Sequence, residues 1–287
     1  MIPLLIDDIV RTALHEDLGR AGDLTTDAIV PADAQGVAHL AARTTGVISG
    51  LAVVERVFAL LDARVRVDLH LADGDRVERG TVVATISGPL RAILTGERTA
   101  LNFVGRLAGV ASATARLVAA VAGTRAAIVD TRKTTPGLRA LEKAAVRHGG
   151  GANHRFGLDD AILIKDNHVA VAGGIAPAVA AARAHAGHLV KIEVEVDTLA
   201  QLDEALATGA DIILLDNFSP QQLSQAVRRV GGRALLEASG GIDETTIRAV
   251  AESGVDLISV GALTHSVRAL DVGLDVVEQR AEALVTR

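Results

Sequence analysis

LVKIEVEVDTLAQLDEALATGADIILLDN (189–217) contains a whole strand–helix–strand unit. In LVKIEVEV, Ile192, Val194 and Val196 alternate with Lys191, Glu193 and Glu195, so a strand puts the apolar set on one face and the charged set on the other. TLAQLDEALATG has helical spacing and closes on Gly209. ADIILLDN is a second apolar run that ends in Asp216 and Asn217. The same grammar recurs in AAIVD (126–130), AILIKDN (161–167), RALLEAS (233–239) and VDLISVG (255–261), with Ala-rich helical stretches such as DETTIRAVAESG between most of them. Strand–helix alternation at this pace predicts βα units and a parallel sheet covered on both faces. Each run ends in polar residues: Asp130–Lys133, Lys165–His168, Glu195, Asp216–Asn217, Glu237–Gly241 and Gly261. In barrels and open parallel sheets the C-terminal strand ends carry the site.

The first hundred residues follow another pattern. DDIVRTALHEDLG is helical, and VAHLAARTTGVISG and RVRVDLHLADGDRVERGTVVATISG give short alternating strands with turns. A separate, partly antiparallel α+β domain is expected over 1–108, with the α/β barrel over 109–267. A long helix over 94–123 is expected to bridge them, and a terminal helix over 268–287 to pack back on the first domain. DGDRVERGTVVATISG is similar to the strands of biotin- or lipoate-carrier modules, but no lysine precedes Lys133, so there is nothing to modify.

Composition narrows the function. A chain of 287 residues with 49% apolar residues can bury a sizeable core. No apolar run reaches the roughly 18 to 20 residues of a membrane span, and Asp7 and Asp8 sit where a secretion signal needs basic residues. There is no cysteine, which excludes disulfides, thiolate metal sites and cysteine nucleophiles, and a cytoplasmic location fits. Four Phe with no Trp or Tyr leave few platforms for stacking bases, so nucleic acid is not the expected partner.

The charge is uneven. TRKTTPGLRALEKAAVRHGGGANHR (131–155) holds six Lys/Arg against one acid in a chain whose net charge is −6. A cationic island in an acidic protein suits a small polyanion. Arg132, Lys133, Arg155 and Lys165 lie in or beside rim loops, where Arg can grip carboxylates bidentately, and His154 is a further donor. Arg139, Lys143 and Arg147 fall on one helical face and read as a solvated stripe. Glu195 and Asp216 end successive strands and could hold Mg²⁺ through oxygen. Lys191, Glu193 and Glu195 are expected to face the barrel lumen, where charges must pair or bind something. EASGGI (237–242) and SVGALTHS (259–266) make Ser239, Gly240, Gly241, Gly261 and Ala262, with His265, candidates for a phosphate cradle.

Taken in order, DTRKTTPGLRALEKAAVRHGGGANHR, ILIKDNH, IEVEV, LLDN, EASGGI and VDLISVGALTHS closely resemble the quinolinate phosphoribosyltransferases. EDLGRAGDLTT, GVISGL and GERTALNF extend the resemblance over essentially the whole chain. The resemblance implies an N-terminal α/β sandwich followed by an incomplete TIM-like barrel. It implies that quinolinate and phosphoribosyl pyrophosphate give nicotinate mononucleotide, pyrophosphate and CO₂ with Mg²⁺, on the route to NAD. It also implies a homodimer in which the partner's N-terminal domain closes the site. Arg132, His154, Arg155 and Lys165 would bind the quinolinate carboxylates, with Arg98 reaching in from the partner subunit. Lys133, Glu195 and Asp216 would handle ribose, pyrophosphate and Mg²⁺; Ser239–Gly241, Gly261, Ala262 and His265 would hold the 5′-phosphate. The alternatives are a paralogue acting on another pyridine or base, including a molybdenum-transport-associated one, and a Schiff-base aldolase using Lys165 or Lys191.

Overall fold

A computed structural model of the chain describes residues 6–277, which divide into two compact units. The first comprises 6–112, 140–148 and 268–277, and the second 113–139 and 149–267. The chain opens with α1 (Asp7–Leu18), α2 (Leu24–Ile29), β1 (Gln35–Ala42), β2 (Gly46–Val47), α3 (Leu51–Leu61), β3 (Arg66–Leu69), β4 (Arg76–Val77), β5 (Val82–Pro89) and α4 (Leu90–Ala120). It continues through β6 (Ala127–Val129), α5 (Arg139–His148), β7 (Ile162–Ile164), α6 (Asp166–Ala172), α7 (Ile175–His185), β8 (Ile192–Val196), α8 (Leu199–Ala207) and β9 (Ile212–Asp216). Last come α9 (Pro220–Val230), β10 (Leu235–Ser239), α10 (Ile247–Glu252), β11 (Leu257–Ser259), α11 (Ala262–His265) and β12 (Val272–Val276).

In the first unit an antiparallel sheet, ordered β12-β1-β5-β3, packs with helices. α3 buries Leu51, Val54, Val57 and Phe58, the i, i+3, i+6/i+7 stripe of an amphipathic helix. α4 has the length and composition of a membrane span, but 67% of its apolar window is buried, as in a core helix. Gly109 of α4 lets the returning chain pass close by. A Cβ there would overlap the Arg268 carbonyl and lie 3.2 Å from Ala269 Cα. One turn earlier the Gly105 carbonyl accepts the Leu270 N–H at 2.8 Å. These contacts lead the chain to β12.

The second unit is an incomplete barrel. Its six strands are parallel in the order β6-β11-β10-β9-β8-β7, each followed by a helical or loop return. Alternation sorts the side chains. Ile192, Val194 and Val196 of β8, Ile213 and Leu215 of β9, and Leu236 and Ala238 of β10 join the apolar core with the helices. Their neighbours Glu193, Glu195, Leu214, Asp216, Glu237 and Ser239 are left for the other face. Tight returns follow β8 and β9. Thr198 and Ser219 accept the Gln201 and Gln222 N–H groups at 3.2 and 3.3 Å, and the Gln side chains accept back from the cap N–H groups.

Four expectations are corrected. Residues 272–276 form a strand rather than a helix, because the edge of β1 offers an antiparallel ladder; the rest of that expected helix, 278–287, lies outside the described residues. Residues 140–148 belong with the first unit rather than the barrel. The fully buried Glu142 accepts from Arg106 of α4 at 2.8 and 3.1 Å, and His148 Nδ1 lies 2.8 Å from Ser49 Oγ. The expected cationic stripe on α5 is not one surface, since Lys143 is 2% exposed while Arg147 faces solvent. Lys191 precedes β8 and stays out of the lumen, its Nζ 2.6 Å from Asp211 at the start of the next strand.

Gly109→Val tests the close passage. It should cost about 1–3 kcal/mol through overpacking, read as a lower urea midpoint with the slope unchanged.

Candidate active site

The C-terminal strand ends of the barrel unit surround a cleft of about 370 Å³. Arg132, Lys133, His154, Arg155, Lys165, Glu195, Asp216 and Ser239 all line it, joined by Thr131, Leu163, Leu214, Glu237 and Ser259. Eight of the residues singled out in the sequence therefore meet in one place.

Local structure fixes the cationic wall. Asp130, fully buried at the end of β6, accepts the Asn153 side-chain amide at 2.6 Å and the His154 backbone N–H at 2.9 Å. Arg139 donates to Thr134 Oγ1 at 3.1 Å and to the Phe156 carbonyl at 3.2 Å, bracing the 131–139 loop against the 154–156 segment. Arg155 reaches the Ala161 carbonyl at 3.1 Å. The Nε atoms of both Arg132 and Arg155 are buried without a hydrogen-bond partner among the described residues. Burial first, then the Arg132 charge, pull the Arg155 guanidinium below its ordinary pKa. Two close guanidinium groups with unused donors make a ready anion site.

The floor beneath them is acidic. His154 Nδ1 accepts the Arg155 backbone N–H at 2.8 Å, so the ring proton sits on Nε2, which faces Glu193 Oε2 at 2.9 Å and Glu237 Oε1 at 3.6 Å. His154 thus lines the cleft, but its N–H is directed at Glu193 rather than at open space. Burial, then the Glu193 charge, push the Glu237 carboxyl up to about 7.

Across the cleft Lys165 Nζ is 2.5 Å from Glu195 Oε2. Asp216 lies opposite Ser239 in the β9–β10 register, and burial followed by the nearby Asp197 raises its pKa. Glu195 and Asp216 offer carboxylate oxygens at adjacent strand ends, donors of the kind a hard cation takes. Of the expected phosphate cradle, Ser239 lines the cleft and Gly240 and Gly241 follow it with φ of 95° and 60°. Gly261 lies beside Lys133, whose Cδ would be 3.0 Å from an added Cβ, and Thr264 Oγ1 donates to the Lys133 carbonyl at 2.8 Å. Ala262 and His265 open and close the short α11, with His265 Nδ1 2.6 Å from Ser266 Oγ. These three do not line the cleft itself. Arg98 is exposed on α4 in the other unit.

Glu237 and Ser259 line the cleft without being among the site residues that the sequence motifs single out, and Glu193 lies beneath it against His154. The signal for Glu237 was present: it stands two residues before Ser239, hence on the same strand face. Asp130 is marked in the sequence only as a polar strand end; its part in holding the 153–154 segment depends on contacts more than 20 residues away.

The folded chain binds the Glu237 proton more tightly than the unfolded one. Its contribution is complete below about 4.5 and lost as pH rises through about 7. Glu237→Gln should gain thermal stability relative to wild type as pH rises across that window. A melting-temperature difference that does not vary with pH would reject this.

Comparison with known proteins supplies the family. The model described as Quinolinate phosphoribosyl transferase, N-terminal domain, matches residues 23–108, and that of the C-terminal domain matches 110–275. The probable nicotinate-nucleotide pyrophosphorylase (carboxylating) of Bacillus subtilis (strain 168) is 47% identical, covering 91% of this chain and 90% of its own. The nicotinate-nucleotide pyrophosphorylase (carboxylating) of Mycobacterium leprae (strain TN) is 49% identical, covering 94% of this chain and 96% of its own. The crystal structure of NadC from Streptococcus pyogenes superposes with a TM-score of 0.92 at 46% identity, covering 97% of this chain and 99% of its own. The chain, with its open barrel and cation-walled cleft, belongs to the quinolinate phosphoribosyl transferase family.

Proposed function

We propose that this chain transfers the phosphoribosyl group of phosphoribosyl pyrophosphate to quinolinate with loss of CO₂, forming nicotinate mononucleotide and pyrophosphate for NAD synthesis. The observation that carries this reading is the pair of buried, unpartnered guanidinium Nε donors on one wall of a cleft whose other wall ends in Glu195 and Asp216. One wall suits a dicarboxylate, the other a sugar that becomes cationic. In this reading Arg132 and Arg155 grip the quinolinate carboxylates, and Lys165, released from Glu195, adds a third positive charge. His154 orients Arg155 and passes the influence of Glu193 to the wall.

The pyridine nitrogen attacks C1′ of the ribose as the C1′–O bond to pyrophosphate breaks. Glu195 and Asp216 favour the positive charge that develops on the sugar, and Lys133 favours the negative charge on the leaving group. The ring nitrogen is then cationic. When the bond from C2 to its carboxylate breaks, the electron pair stays on C2 beside that nitrogen, and a proton completes the product. Glu195 and Asp216 are the residues that would hold Mg²⁺, which when bound supplies charge neutralisation for pyrophosphate. Ser239, Gly240 and Gly241, with Gly261, Ala262 and His265 near Lys133, receive the 5′-phosphate.

The assay is CO₂ release from quinolinate with phosphoribosyl pyrophosphate, with and without Mg²⁺. Release is expected only with the metal; turnover of nicotinic acid instead of quinolinate would point to another pyridine. Arg132→Ala and Arg155→Ala should each weaken quinolinate by about 1.5–3 kcal/mol, the range for hydrogen bonds to charged groups, and phosphoribosyl pyrophosphate far less. Equal losses would refute the assignment.

The working assembly in this reading is a cytoplasmic homodimer in which Arg98 acts on the partner's cleft. Mixing Arg98→Ala with Lys165→Ala chains should restore part of the activity through hybrid dimers. Failure to complement, with subunit exchange verified, would remove Arg98 from the site.

A further inference from the structure

Asn217 is the one non-glycine residue with a positive φ, 57°, among the described residues. L-residues other than glycine adopt this left-handed conformation at a cost, asparagine least, and such conformations persist where the surroundings hold them. Three contacts hold this one. The Asn217 backbone N–H donates to the Ser239 carbonyl at 2.9 Å, carrying the β9–β10 ladder one residue past the Asp216–Ser239 pair. Its side-chain Nδ2 donates to Asp216 Oδ2 at 2.7 Å. Its amide also lies against Gly240: a Cβ on Gly240 would overlap Asn217 Oδ1 and come within 2.7 Å of Asn217 Cγ and 2.8 Å of its backbone nitrogen.

One side chain is therefore wedged between a carboxylate on one strand end and the backbone turn on the next. The left-handed backbone folds the amide back over both. A right-handed or extended residue would swing it away. The amide donor occupies one Asp216 oxygen and limits rotation of that carboxylate, while the bulk of the amide leaves room only for a glycine in the turn.

We propose that Asn217 is a positioning residue that holds the Asp216 carboxylate and the Ser239–Gly241 turn in fixed register, so that the pyrophosphate and 5′-phosphate ends of one phosphoribosyl pyrophosphate are met together. This rests on the functional reading above. A ligand with two anionic ends needs its two receptors at a set separation, and pre-organising them spares the ordering cost on binding. The partners of Asn217 are Asp216, Ser239 and Gly240; Arg132 and Arg155 are not among them. The effect should accordingly be selective for one substrate.

The test uses Asn217→Gly, which keeps the backbone conformation and removes the wedge, and Asn217→Asp, which keeps the shape and replaces the donor with a second carboxylate. Binding of phosphoribosyl pyrophosphate is measured by calorimetry with Mg²⁺ present, alongside quinolinate binding and thermal melts. Both variants should weaken phosphoribosyl pyrophosphate about tenfold or more and leave quinolinate within about twofold, which a general loss of structure would not do. Wild-type affinity for phosphoribosyl pyrophosphate in both variants overturns the inference. So does an equal weakening of both ligands accompanied by a lower melting temperature. A wild-type chain that binds no phosphoribosyl pyrophosphate overturns the functional reading, and this inference with it.

Discussion

A parallel strand must send successive side chains to opposite faces, and nearly everything about the cleft follows from that constraint. On β8, β9 and β10 the apolar set goes outward to meet the helices, which leaves the other set confined to the lumen. Charges in that set have nowhere else to go. Glu193 and Glu237 are almost fully buried, and burial raises the cost of keeping both ionised. The barrel balances this by bringing His154 and the two guanidinium groups of the 131–155 segment over the acids. Core packing and catalytic charge are thus two faces of the same strands.

The balance is incomplete in a useful way. Lys165 has Glu195, and His154 has Glu193, but the Nε donors of Arg132 and Arg155 are left unmatched. A buried donor without a partner costs folding free energy, a cost that an anion accepting from it would offset. The site is therefore built for its ligands rather than for its own stability. Such preorganised charge needs little rearrangement during the reaction.

Much of this was legible in the sequence because period and spacing are local properties. The βα repeat, the charged face of IEVEV and the polar strand ends could be read directly, and the motif string carried the family. What was not legible depended on long-range packing. VGLDV looked like part of a terminal helix until β1 offered it an edge. Lys143 looked like a surface charge because helical periodicity says which residues share a face, not what covers that face. Lys191 followed the alternation of Glu193 and Glu195 on paper, but it stands just before the strand, where Asp211 draws it away. The direction of the His154 proton depends on one backbone N–H and on acids about 39 and 83 residues further along the chain, which no motif encodes.

Sheet order has a consequence for the growing chain. β6, which delivers Arg132 and Lys133, makes a single parallel bridge to Ala152 and otherwise, among the described residues, has β11, about 130 residues later, as its neighbour in the sheet. Thr264, later still, secures the Lys133 carbonyl. Strands β7 to β10 can pair in chain order, whereas β6 has only its bridge to Ala152 until β11 is made. Non-local pairing of this kind is slow, because a long loop must close first. The cleft is therefore completed near the end of synthesis.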